Sequence, residues 1–528
     1  MKKFRHLSAF LETSSGVTPA VGTIKRFIKI ISAFGYDRLY LGMADSYKIE
    51  GEPYFGYKRG GYTKEELNEI DEYAKTKKVE IVPQVQLLGH LHYLKKYPVY
   101  ENLFDTNDSL IVGDEKVYEL IGKMVKTISE GLSSRRIHIG LDETFGLGTG
   151  NYLKNHEPAD RKELILRHVG RVFEILTEYG YTSVEMWGDM LSDENSTVSF
   201  DEVKRRLPKN SSVIVWNYEI KDEEKLLKII NDGKKMTDVP AFAGGVWKYL
   251  GFGPNNAFSI DCILEQEKVC AENGVENFIV TLWSDNVAPC SLFAALPTLF
   301  VAAEYAAGRI NLADEIDKTR FFKAAGISYD DMYSLEYLDN PFKENVTTRS
   351  SSSVWLLYTD ILLGNFDTLV PCGAKEAYLK LAEEYKALSK GKFGYLFVVA
   401  ALLSDALAIK AQLPKEIREA YRCNDKSAVN RLIGEVKRLK AALNKFMLGY
   451  EKYFLKDNKA FGVEVYHIRI GEAIARCDYA VRRLTAFMKN GEKIEETEGG
   501  VQLLTYKPMP TICCSIMTDP KLLVSYCI

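Results

Sequence analysis

The sequence predicts an α/β fold: a (β/α)8 TIM barrel followed by an α-helical C-terminal domain. Three observations carry this. Short apolar runs alternate with amphipathic helical patterns up to about residue 310. Beyond that point strand-like runs disappear until the extreme end. Four of the five tryptophans fall at the ends of predicted strands.

Taken in order, the strand candidates are 5–11, 38–42, 80–85, 136–140, 183–187, 213–216, 241–246 and 278–283. Helical spacing predicts helices over 21–34, 64–77, 116–129, 161–179, 223–231, 261–273 and 291–307. Strands alternating with helices imply a parallel sheet. Eight such units in roughly 300 residues fit a closed barrel better than an open sheet. A doubly wound sheet is the alternative, but no Gly-rich phosphate loop follows the first strand. The expected division is therefore a catalytic barrel over 1–310 and a mainly helical domain over 311–528. In the latter, apolar spacing and Lys/Glu pairs predict helices at 374–388, 393–413, 428–456 and 463–488. Short terminal strands are expected at 501–505 and 512–517.

Composition narrows the function classes. Hydrophobic residues make up 46% and charged residues 27%, the mix of a globular protein. The formal net charge is −3, with Lys and Arg scattered among Asp and Glu, so no concentrated basic surface points to nucleic acid. Arg5, His6 and Glu12 interrupt the apolar residues near the N-terminus, which argues against a signal peptide. The longest apolar stretch, near 397–403, is too short to span a membrane. Nine cysteines show no zinc-like spacing. Reduced thiols and a cytoplasmic location are the expectation.

Barrel enzymes place their reacting groups on loops at the C-terminal ends of the strands. The fourth strand ends in His138-Ile139-Gly140-Leu141-Asp142-Glu143. Nearby like charges disfavour joint ionisation, and this coupling raises the pKa of one carboxyl of an adjacent pair, which suits a general acid. The bland alternative is an exposed acidic loop. Trp187, Trp216, Trp247 and Trp283 stand at the ends of strands five to eight, where flat rings suit the apolar faces of a sugar. Tyr218, Asp285 and Asn286 stand beside them as hydroxyl-orienting groups. Aromatic walls with a carboxylate pair describe a glycosidase pocket.

These residues resemble family-20 glycoside hydrolases, the β-N-acetylhexosaminidases, whose signature is His-x-Gly-x-Asp-Glu. The likeness runs along the whole barrel. It includes Ile49-Glu50-Gly51-Glu52-Pro53-Tyr54-Phe55-Gly56-Tyr57, Gln86-Leu87-Leu88-Gly89-His90-Leu91, Trp216-Asn217-Tyr218, Phe242-Ala243-Gly244-Gly245-Val246-Trp247 and Thr281-Leu282-Trp283-Ser284-Asp285-Asn286. The chain looks similar to the bacterial branch with a helical C-terminal domain. The resemblance implies substrate-assisted retention, in which the sugar's 2-acetamido oxygen attacks the anomeric carbon and forms an oxazolinium ion. By family role Glu143 is the general acid and base, Asp142 orients the acetamide N–H, and Tyr218 bonds its oxygen. Trp187, Trp247 and Trp283 would enclose the sugar and Asp285 would hold its O4/O6 side. Asp45 and His90 join them as substrate-side residues, with a structural role open for His90. His138 is expected to support the loop. No metal or cofactor is implied. The implied partner is an oligosaccharide or glycoconjugate with a terminal N-acetylhexosamine.

Three positions depart from the family. Where close members carry Asp-x-Ser-Arg, whose Arg grips O3/O4, this chain has Glu12-Thr13-Ser14-Ser15. Where they tend to carry Thr-Glu-Asp it has Met43-Ala44-Asp45, and Thr144-Phe145 replaces Ala-His. A serine cannot replace the five donors of a guanidinium. Altered specificity, for a substituted or sulfated hexosamine, is therefore one reading and weakened activity another. A non-catalytic carbohydrate-binding barrel is a competing class. An aldolase or lyase is another, with Lys248 the only lysine near a Schiff-base position. Arg469 and Asp478 are candidates to reach the barrel mouth, against a packing role or a homodimer interface for the helical domain.

Overall fold

The computed structural model describes residues 2–498 except 239, 313, 345–350, 365–366 and 368–369. The expected strands at 501–505 and 512–517 lie outside the described residues. Eight parallel strands close into a barrel in sequence order. They are β1 (His6–Glu12), β2 (Arg38–Gly42), β3 (Glu80–Gln84), β4 (Arg136–His138), β5 (Ser183–Trp187), β6 (Ser211–Trp216), β7 (Ala241–Gly245) and β8 (Asn277–Leu282). β8 pairs with β1 from His6↔Asn277 to Leu11↔Leu282, which closes the ring. The doubly wound alternative is thereby excluded.

The strands are buried almost throughout because helices cover their outer faces. Helix Val21–Phe34 shows how the sequence selects this layer. Ile24, Phe27, Ile28, Ile31 and Phe34 recur at helical spacing and are buried. Helix Lys64–Thr76 starts at a capping box, with Thr63 accepting from the Glu66 N–H and Glu66 from the Thr63 N–H. Inside the barrel pack Phe10, Tyr40, Val82, Trp187, Ile214, Ala241, Ala243 and Ile279. A polar chain threads this interior. Tyr40 Oη donates to Glu185 Oε2 at 2.7 Å, and Asn277 Nδ2 donates to Tyr40 Oη at 3.0 Å. Arg136 Nη1 meets Glu185 Oε1 at 2.8 Å, so the buried carboxylate is paired.

β4 is shorter than expected, ending at His138 rather than at 140. Gly140 and Leu141 have φ of 78° and 82°, which breaks the extended backbone. The expected helix at 291–307 is a 3-10 turn, Leu292–Ala295, running into an α-helix, Leu296–Ala306. Helices Phe200–Arg206, Lys318–Ala325, Ser352–Tyr358 and Leu413–Arg422 have no counterpart in the sequence reading.

The chain divides into two compact units. One comprises Met1–Val246, Ser259–Ser284 and Thr298–Asp317; the other comprises Trp247–Phe258, Asp285–Pro297 and Lys318–Ile528. Long helices Ala374–Ala387, Gly394–Lys410, Lys426–Asp457 and Val463–Asn490 build the second. The helical segment Gly394–Arg422 is long and apolar enough to cross a membrane, with a mean hydropathy of 1.8 in its best window. The sequence reading found no run of that kind, because Ser404, Asp405 and Lys410 interrupt the apolar letters. In the fold 72% of that window is buried within the protein, as for a core helix apolar on all sides. Asp478 pairs with Lys440 at 2.7 Å inside this unit, and Arg469 donates to the Asn286 carbonyl at 2.9 Å.

Candidate active site

The loop after β4 is held in an unusual shape. His138 is fully buried, and its Nδ1 accepts the Gly140 N–H at 3.0 Å. Burial pushes its imidazole down to about 3, so the ring is neutral and serves as a fixed acceptor. A Cβ on Gly140 would meet Gln86 Oε1 at 1.9 Å, and φ is positive as well, so only glycine fits here. Glu143, at φ 53°, repeats the left-handed turn two residues after Leu141. Two non-glycine residues with positive φ within three positions, Leu141 and Glu143, are a costly arrangement of the kind that clusters at active sites.

This turn sends two adjacent carboxylates into different surroundings. Asp142 Oδ1 accepts from Gln86 Nε2 at 3.2 Å, and Oδ2 lies 3.2 Å from His90 Nε2. Burial works to raise the Asp142 carboxyl, but the hydrogen bond and charge of His90, with Gln86, hold it below its ordinary value. Glu143 moves the opposite way. Partial burial and the charge of Asp142 raise it, and His90, 3.7 Å from Oε2, offsets this only in part. The pair therefore has one carboxylate kept ionised and one biased toward the acid.

His90 is the hinge of this arrangement. Its backbone N–H donates to Asp108 Oδ2 at 2.9 Å, and Asp108 Oδ1 stands 3.2 Å from His92 Nδ1. Burial disfavours the imidazolium, yet the bond to Asp142 and the charges of Asp142, Asp108 and Glu143 lift His90 to about 10. Asp189, two residues past β5, accepts the Glu143 N–H at 2.9 Å. Burial and the charge of Asp142 push its carboxyl up to about 6. The sequence reading missed Asp189, Gln86 as a direct partner of Asp142, and Asp108. Only Asp189, an acid just after a strand end, carried a readable signal.

The aromatic residues separate into two groups. Trp187 is only 1% exposed, with its ring 4.5 Å from His138 and 6.1 Å from Trp283. It packs in the barrel core and steadies the β4 loop from below. Trp216, Tyr218 and Trp283 keep part of their surface open. Tyr218 stacks on Trp216 at 5.1 Å and meets Trp283 edge-on at 6.5 Å. The structure thus brings Asp142, Glu143, His90, Trp187, Tyr218 and Trp283 together in one unit. Trp247 and Asp285 belong to the second unit. There Trp247 is buried against Tyr249 and Phe258, while Asp285 sits exposed in a turn.

Asp45 does not stand open as expected. It is 1% exposed, and its Oδ2 lies 2.6 Å from Arg59 Nε. Burial raises its carboxyl and the Arg59 charge pulls it back. Ser15 Oγ donates to Glu12 Oε1, and Glu12 Oε2 also accepts the Ser284 N–H at 2.6 Å. Among the described residues no group of three or more His, Cys, Asp or Glu is arranged to hold a metal ion.

With this geometry in place, comparisons define the class. Residues 20–243 match the family model for the glycosyl hydrolase family 20 catalytic domain. Residues 330–511 match that for the Glycoside Hydrolase 20C C-terminal domain. The two matches span about three-quarters of the sequence, and the chain belongs to glycoside hydrolase family 20. Hexosaminidase D from Bos taurus is 25% identical over 212 residues, 38% of this chain and 60% of that protein. Hexosaminidase D from Homo sapiens is 24% identical over 212 residues, 38% of this chain and 43% of that protein. The aligned region thus spans less than two thirds of either relative. Solved structures with a similar fold include a family-20 β-N-acetylhexosaminidase from Streptomyces coelicolor A3(2), with a TM-score of 0.46 and 17% identity. That match covers 62% of this chain and 70% of that one. A family-20 exo-β-N-acetylglucosaminidase from Vibrio harveyi has a TM-score of 0.48 and 16% identity, covering 64% of this chain and 59% of that one.

Proposed function

We propose that this protein is a retaining exo-β-N-acetylhexosaminidase that removes terminal β-linked GlcNAc or GalNAc by substrate-assisted catalysis. The observation that carries the reading is the divergence of Asp142 and Glu143. Asp142, held ionised by His90 and Gln86, suits a group that orients the acetamide N–H and stabilises the positive charge developing on it. Glu143, raised by burial and by Asp142, suits the acid that protonates the leaving oxygen. The acetamide oxygen attacks the anomeric carbon as the glycosidic C–O bond breaks, and Glu143 gives its proton to the departing oxygen. Glu143, now a carboxylate, then takes a proton from water as that water opens the oxazolinium ion. Tyr218 would hydrogen-bond the acetamide oxygen, with Trp283 and Trp216 walling the ring. The nucleophile is the substrate's own, so the reaction calls for no cofactor.

The test is to assay 4-nitrophenyl β-GlcNAc, β-GalNAc and 6-sulfo-β-GlcNAc in parallel, with an N-acetylglucosamine thiazoline as inhibitor. The thiazoline mimics the oxazolinium ion. Turnover with tight thiazoline inhibition supports acetamide participation. Turnover without inhibition refutes the mechanism, and no turnover of any glycoside by folded protein refutes the activity.

A further inference from the structure

Asp189 stands two residues past β5, and both of its carboxylate oxygens are engaged by donors from other strand ends. Oδ2 accepts the Glu143 backbone N–H at 2.9 Å, and Oδ1 accepts the Trp216 indole N–H at 3.5 Å. One carboxylate thus joins the loop after β4 to the end of β6. The sequence brings it there through Gly188. The Gly188 N–H donates to the Ile214 carbonyl at 2.9 Å, and a Cβ on Gly188 would meet the Val213 side chain at 2.6 Å. The close approach of β5 to β6 therefore calls for glycine just before the acid. The turn beyond is closed by Ser192, whose hydroxyl donates to the Gly188 carbonyl at 2.7 Å and whose N–H donates to the Asp189 carbonyl at 3.1 Å. Asp189 rests on a fixed support.

What it holds is unfavourable by itself. Glu143 has a φ of 53°, in the left-handed region that disfavours a residue with a side chain. Relaxing that backbone would turn away both its N–H and its carboxyl. A hydrogen bond to an ionised acceptor is among the stronger contacts open to a backbone N–H. The other oxygen of Asp189 acts on the pocket wall, where Trp216 stacks on Tyr218 with their planes 17° apart. The residue type matters. A carboxylate only accepts and satisfies both donors, whereas an amide would turn its NH2 toward one of them. Burial and the charge of Asp142 oppose an acid at this place and raise its carboxyl to about 6. A carboxylate kept against that opposition is suited to a task that a neutral acceptor does less well.

We infer that Asp189 is a positioning residue of this site: its carboxylate holds the acid Glu143 in the left-handed turn and ties it to the Trp216–Tyr218 wall, so that protonation of the leaving group depends on it. This inference rests on the hexosaminidase reading. The groups that bear on Asp189 are Asp142 through its charge, and Glu143 and Trp216 through their hydrogen bonds. As the pH falls through about 6 the carboxyl takes up a proton, becomes a donor at one oxygen and loses its hold on both partners together. The acid limb of the pH–rate profile then belongs to Asp189.

The test compares wild type, Asp189→Ala and Asp189→Asn on phenyl β-GlcNAc, whose leaving group needs a proton, and on 2,4-dinitrophenyl β-GlcNAc, whose leaving group does not. Circular dichroism confirms folding, and the near-isosteric Asp189→Asn guards against a misfolded alanine variant. In kcat/KM on the phenyl glycoside Asp189→Ala should lose about 100-fold and Asp189→Asn, which keeps one acceptor, about 10-fold. On the dinitrophenyl glycoside both losses should shrink to within a few-fold, which a general loosening of the pocket would not produce. In wild type the acid limb of kcat/KM should fall near pH 6, and in Asp189→Asn it should move to lower pH. Equal losses on the two glycosides, no loss at all, or an acid limb that stays in place in Asp189→Asn overturn the inference while leaving the hexosaminidase reading intact. Failure of wild type to cleave either glycoside overturns that reading and this inference with it.

Discussion

Replacing His90 with Gln isolates the charge that holds the two carboxylates apart. Glutamine keeps a donor in reach of Asp142 but removes the cation. A rise of the His90 pKa from 6.5 to about 10 corresponds to ~5 kcal/mol in favour of the imidazolium. The side chain is 32% exposed, and solvent screening brings this to about 2–3 kcal/mol. Because the folded pKa is raised, the stabilisation is fully present below pH 6.5 and is lost as the pH rises through about 10. Urea unfolding of the barrel should therefore show wild type ahead of His90→Gln by about 2–3 kcal/mol at pH 6, falling below about 1 kcal/mol at pH 10.5. Proton NMR gives the direct reading. Among the seven histidines, the resonance that disappears in His90→Gln should stay protonated through pH 8. A His90 that titrates near 6.5, or a stability difference independent of pH, would show that the three carboxylates do not act on the ring as argued.

Asp142→Asn should lower kcat/KM by about 10²–10³. It should also move the alkaline limb of the pH–rate profile to lower pH, since the charge of Asp142 is one of the two forces raising Glu143. Glu143→Gln should cost about 10²–10⁴ in kcat with poor leaving groups, and much less with a 2,4-dinitrophenyl glycoside that departs without protonation. Comparing the two substrates measures this. Gly140→Ala should destabilise the barrel by at least about 1–2 kcal/mol, from the left-handed φ alone. It should lower activity further by displacing Gln86 from Asp142, and thermal melts with parallel kinetics would detect both.

The barrel was legible because its signal is periodic. A run such as Ser183–Trp187 is apolar, bounded by breakers and followed by an amphipathic helix, and it appears in the structure with the expected bounds. The Asp142–Glu143 pair was legible because a short motif at a strand end carries it. What was not legible depends on distant approach. Asp189 reaches the Glu143 N–H from 46 residues away, and nothing in the Trp187-Gly188-Asp189 letters specifies that contact. Arg59, which closes on the Asp45 carboxylate, lies in a loop rich in Tyr, Lys and Gly where periodicity is silent. Trp187 was misjudged for a related reason: a tryptophan at a strand end reads the same whether its ring faces the mouth or the core, and here it is buried.

The two adjacent carboxylates also show why the β4 loop must be bent. In an extended strand, neighbouring side chains point to opposite faces, so Asp142 and Glu143 would have had one residue in the barrel and one outside. Positive φ at Gly140, Leu141 and Glu143 breaks that alternation and brings both acids within 4 Å of the His90 Nε2. Their difference is then set by partners and not by direction. Asp142 takes the nearer His90 contact and the Gln86 amide, while Glu143, nearly half exposed, is left with the weaker one. The strain in the turn and the asymmetry of the pair are one feature, because without the turn the two carboxyls could not share a cation unequally.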